Sequence, residues 1–109
     1  MDLITRIQNL VAELQQYIKG LQNWGLKKAQ AEQDYQMTLS QEVLKERDKG
    51  TAIGVIQLVV KGTPEVAKKR FERDVAEAMY QASQEKINVA KLELRLLDSQ
   101  ASREWSVKE

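Results

Sequence analysis

The chain has 109 residues, a formal net charge of +1, 30% charged residues, 6% aromatics and one proline. That length holds one domain at most, and the balance fits a helical bundle or coiled coil better than a sandwich or an enzyme core. There is no cysteine and no histidine, which excludes disulfides, thiolate metal sites and every Ser–His or Cys–His nucleophile.

No apolar run approaches the ~20 residues needed to span a bilayer. The start, MDLITRIQ, lacks the basic and small-residue features of a signal peptide. The expectation is a soluble, cytoplasmic protein with no membrane partner and no cofactor.

The first element expected is a helix over about residues 2–48. Leu3, Ile7, Leu10, Leu14, Tyr17, Leu21 and Trp24 alternate spacings of four and three, the spacing of a coiled-coil seam. Ile4, Val11 and Ile18 run beside them and widen the seam into the face of a bundle helix. An ordinary packing face explains this pattern better than a cofactor or membrane role, because the polar side is rich in Gln and Asn rather than strongly basic. Gly20 and Gly25 flank Trp24 and each costs about 1 kcal/mol relative to alanine, so they permit a bend or a close helix approach. Beyond them the seam becomes lighter: Ala31, Tyr35, Leu39 and then Val43 or Leu44.

The stretch KGTAIGVIQLVVKGTP, residues 49–64, is where the chain must turn back. Gly50 follows a basic last turn and reads as a helix stop. The run from Ile53 to Val60 is β-branched, which favours a strand, but nothing else in the chain could pair with it. An unpaired apolar strand would expose its backbone polar groups. A short helix over about residues 52–61, capped by Thr51, is therefore expected.

Thr63-Pro64-Glu65 combines a capping hydroxyl, a proline suited to a first helical position and an acid at the positive end of the dipole. It opens a second long helix to about Trp105. The inner face expected there is Ala67, Phe71, Val75, Ala78, Met79 and Ala82, then Ile87, Ala90, Leu94, Leu97, Ala101 and Trp105, with Val89 and Leu92 alongside. The closing SVKE reads as a frayed end.

The fold expected is all-α: a single-domain, long antiparallel helical hairpin, coiled-coil-like, with a short helix in the turn. At ~1.5 Å per residue the long helices each reach about 65–70 Å. Folding at the turn would set Tyr35 near Glu77, Trp24 near Ile87–Asn88 and Ile7 near Trp105. A lone hairpin cannot cover its wide α-helical faces, and exposed stripes of that size mark interfaces. Assembly into a four-helix or larger bundle follows, with a homodimer the simplest form and Leu3, Ile7, Leu10, Val11, Leu14, Tyr17, Ile18, Leu21 and Trp24 as the interface.

Residues 45–73 hold eight basic and four acidic side chains, a net +4 at the turn end. Lys61, Lys68, Lys69, Arg70 and Arg73 could meet phosphates there. Surface pairs such as Glu65 with Lys68 or Lys69 explain them better. Phe71 reads as core, leaving no exposed aromatic to stack a base. Chemistry is otherwise thin. Neither GTAIG nor GTPEVAKK has the spacing of a phosphate-binding loop, no Glu-x-x-His metal pair can exist without histidine, and Ser40, Ser83, Ser99 and Ser102 lack a base beyond lysine.

The chain departs from the small secreted hairpins of the WXG type, since Trp24-Gly25 lie within a helix and Tyr80 is followed four residues on by Gln84. The stretch 45–105 resembles small helical proteins encoded in phage and prophage gene clusters, above all from Arg70 through Tyr80 to Asn88 and in Leu94-Arg95-Leu96-Leu97. The resemblance implies a phage setting and no chemistry. The function expected is a non-enzymatic, self-associating interaction or adaptor protein presenting its turn end to another protein. The alternative is a nucleic-acid-binding accessory protein using the basic turn.

Overall fold

The computed structural model describes residues 2–108. Its order is α1 (Leu3–Asp48), α2 (Ile53–Lys61) and α3 (Pro64–Lys108), with no strand among the described residues. The long helices α1 and α3 pack against each other antiparallel, and α2 fills the turn of this helical hairpin. α3 passes the expected end at Trp105, so Ser106 to Lys108 continue the helix; Glu109, the last residue expected to fray, lies outside the described residues.

Each helix boundary has a local cause. Asp2 caps α1: its Oδ1 accepts the Thr5 amide at 2.7 Å, which holds the carboxyl below its ordinary pKa. At the other end Gly50 sits at φ 83°, the left-handed conformation glycine adopts without penalty. Its amide bonds the Arg47 carbonyl while the Thr51 amide bonds that of Glu46, at 3.0 and 3.1 Å. These two bonds form a Schellman closure that satisfies the last carbonyls of α1.

Two capping expectations are overturned. The Thr51 hydroxyl does not cap α2; it donates to Glu46 Oε2 at 2.7 Å, and Ala52 takes the N-cap position without a side-chain bond. Thr63 precedes α3 as expected, but its hydroxyl donates back to the Val60 carbonyl at 2.8 Å. It therefore satisfies the end of α2 rather than the start of α3.

The packing forms two compact units. In the unit Trp24–Tyr80, Tyr35, Ile56, Val60 and Val66 form the core, with Leu39 and Val43 against them. Val60 and Val66 are fully buried, each worth about 1.5–3 kcal/mol relative to exposure. In the other unit, built from the chain up to Asn23 and from Gln81 on, the core is Leu10, Ala90 and Leu97. Leu3, Ile7, Leu14, Tyr17 and Leu94 pack around it.

The register between α1 and α3 differs from the expected one by about one to three helical turns. Tyr35 meets Arg73 rather than Glu77, Gly25 lies against the ring of Tyr80, and Ile7 shares its groove with Leu94 rather than with Trp105. The cause is α2. Its Ile56 and Val60 pack beside Leu39 and Val43 on the last turns of α1, a place that direct reversal would have given to the first turns of α3.

The inner face of α3 is also corrected. Val66, Ala76, Ile87, Ala90 and Leu97 are buried, with Arg73, Tyr80, Ser83 and Leu94 half-buried between them. Phe71, Val75, Ala78, Met79 and Ala82, and Val89 and Leu92 beside them, all expected inside, face solvent, and Trp105 is exposed. Both sets follow the same alternation of three and four. The chain places the more polar one inward, because Arg73 and Tyr80 find partners on α1.

Candidate functional site

Within the unit Trp24–Tyr80, α2 carries the most concentrated exposed apolar surface. Ile56 and Val60 are buried, whereas Ile53, Val55, Leu58 and Val59 are exposed, Ile53 by 88% and Leu58 by 78%. A helix apolar on all sides normally lies buried on all sides. Beside it Leu39, Ser40, Val43, Leu44 and Gln57 line an open groove.

The expected basic surface lies in the same unit but is only partly free. Arg73 stacks over Tyr35 at 4.4 Å, binds Asp74 at 3.0 Å and approaches Glu32 at 3.7 Å. The hydrogen bonds to Asp74 raise its pKa further above the ordinary arginine value. Lys69 pairs with Glu72 at 3.4 Å, Lys45 with Glu42 at 3.1 Å and Lys49 with Glu46 at 3.4 Å. Among the described residues, Lys61, Lys68 and Arg70 have no ion pair. Phe71 is 68% exposed between Arg70 and Glu72, so an aromatic ring does stand among these charges, contrary to the expectation that it is core.

Among the described residues Glu46 is the one buried acid. The Thr51 hydroxyl bond, then the Lys49 ammonium, hold its carboxyl below the ordinary glutamate pKa. These contacts close the α1–α2 turn.

In the other unit the expected interface residues divide. Leu10 is buried, and Leu3, Ile7, Leu14 and Tyr17 pack on the core it shares with α3, so this part of the face is used within the chain. Leu21 is half-buried, as is Trp24 in the neighbouring unit, where Lys27 lies 4.4 Å over its ring. Ile4, Val11 and Ile18 remain exposed, at 67%, 38% and 41%. On α3 the exposed residues are Val89, Leu92 and Leu96. Lys86 lies 4.2 Å over the ring of Tyr17 and is thereby engaged.

Among the described residues no group of three or more acids could hold a metal ion, and no helix is long and apolar enough to cross a membrane. Ser40, Ser99 and Ser102 are exposed and Ser83 half-buried, each on a helix. The exposed Phe71 and the outward seam of α3 could not be placed by periodicity, since both faces share one period; the polar partners of Arg73 were the hidden signal. No family model, curated protein or solved structure matches this chain.

Proposed function

We propose that the chain is a non-enzymatic, self-associating helical interaction protein, working as an adaptor in the cytoplasm. On the sequence resemblance of residues 45–105, its setting is a phage or prophage gene cluster. One observation carries the self-association: α3 turns the more apolar of its two seams outward. Phe71, Val75 and Met79 in one unit, and Val89, Leu92 and Leu96 in the other, are all at least 41% exposed. A monomer gains nothing by holding large side chains at regular helical spacing in water, whereas a second helix would desolvate them at about 25 cal/mol per Å². Light scattering at micromolar concentration is the test. A mass of two chains or more is expected, and a monomer of 12.5 kDa would overturn the reading.

A second reading is favoured by the exposure of Phe71 beside Lys68 and Arg70. A ring flanked by free cations is the pairing that single-stranded nucleic acid uses, stacking a base while the cations meet phosphates. Fluorescence anisotropy with a labelled single strand tests it. Binding should weaken with salt and fall in Phe71→Ala and in Lys68→Glu/Arg70→Glu; absence of any salt-dependent binding by the wild-type chain ends this reading.

A further inference from the structure

We propose that two copies of this chain pair antiparallel through the outward face of α3, with the dyad between Ser83 and Gln84. The proposal rests on the self-association reading and names its interface. On one continuous helix, the outward positions recur at alternating spacings of three and four, as knobs of a coiled coil do. Laid antiparallel about that dyad, Phe71 faces the partner's Leu96, Val75 faces the partner's Leu92 and Ala78 faces the partner's Val89. Near the dyad, Glu85 faces the partner's Ala82.

Three features select this arrangement. Large apolar side chains stand at both ends of the stripe, with Ala78, Ala82 and Glu85 in the middle, so among antiparallel registers this one sets the large apolar ends against each other. Sliding the partner by one heptad puts Leu92 opposite the partner's Lys68, or Phe71 opposite the partner's Arg103. A parallel, in-register pair would set Glu85 in the same layer as the partner's Glu85, where like charges are costly, whereas about this dyad the two are offset by about 4.5 Å along the axis and each faces an alanine. The flanking positions add charge complementarity on one side: Asp74 lies opposite the partner's Arg95 and Gln81 opposite the partner's Asn88, twice by symmetry. On the other side Met79 lies beside the partner's Lys86, while Glu72 lies near the partner's Glu93 at the solvent edge. Asp74 is 56% exposed even while holding Arg73, so it has room for a second cation. The expected interface on α1 is thereby moved to α3, since most of the α1 seam already serves the chain's own core.

The chain has no cysteine, so the arrangement can be read by cross-linking. Val75→Cys and Leu92→Cys are made separately, both at exposed positions, and checked for wild-type helicity and light-scattering mass. Mixed and mildly oxidised, they should give a disulfide-linked dimer carrying one chain of each kind. Val75→Cys alone should not cross-link, because its two thiols would lie about 25 Å apart along the axis at ~1.5 Å per residue. Asp74→Arg and Arg95→Asp should each weaken the dimer several-fold, and the two together in one chain should restore it. If the mass is that of a dimer but Val75→Cys links to itself, or the mixture does not link, the antiparallel interface is overturned while self-association stands. A monomeric mass overturns both.

Discussion

The guanidinium of Arg73 lies 4.4 Å over the ring of Tyr35, so a cation occupies a position on α3 that would ordinarily hold an apolar side chain. Tyr35 is buried to 7% exposure and belongs to the core with Ile56, Val60 and Val66. Arg73→Met should lower stability by about 1 kcal/mol, and by less in a Tyr35→Leu background. A double-mutant cycle on urea midpoints measures that difference; equal losses in the two backgrounds would show that the stacking contributes nothing.

The two faces of α2 should respond very differently to truncation. Val60 is fully buried and Ile53 is 88% exposed. Val60→Ala is expected to cost about 2 kcal/mol from lost transfer energy and the cavity left behind. Ile53→Ala should stay within about 0.5 kcal/mol. Thermal unfolding followed by circular dichroism separates them, and comparable losses would contradict the burial pattern.

Glycine replacements test the backbone. A Cβ at Gly20 would meet no atom within 4 Å, so Gly20→Ala should stabilise by about 1 kcal/mol through helix propensity. Gly50 sits at φ 83°, and Gly50→Ala should destabilise by about 1 kcal/mol because a Cβ is strained there. At Gly25 the new Cβ would touch the Tyr80 ring at 3.4 Å, so the gain from Gly25→Ala should be smaller than at Gly20. Chemical denaturation of the three variants gives the order directly.

The carboxylate of Glu46 predicts an acid-sensitive turn. Its pKa is lowered in the folded chain, chiefly by the Thr51 hydroxyl and then by Lys49. A lowered folded pKa means that the contribution is fully present above the unfolded value of about 4.3. It is lost as the pH falls from there through the folded value. Thr51→Val should therefore destabilise at pH 7 and much less at pH 3. An identical penalty at both values would mean that the hydrogen bond is not linked to the ionised acid.

Much of the fold is legible without coordinates. The four-and-three spacing from Leu3 to Trp24 specifies a helix, because only a period near 3.6 brings those residues to one side. Gly50 and Pro64 mark its end and the next start, because each has a backbone requirement visible in one letter. The lack of a pairing partner makes residues 53–61 helical despite their β-branched content. Tertiary structure alone decided which seam of α3 turns inward. Two stripes shared one period, and the choice depended on Arg73 meeting Tyr35 and Glu32, residues about forty positions away that no local pattern connects. The register was decided in the same way. Its offset comes from α2 lying on the end of α1, a packing contact between side chains distant in sequence, whereas periodicity along one helix carries no information about its partner's axial position.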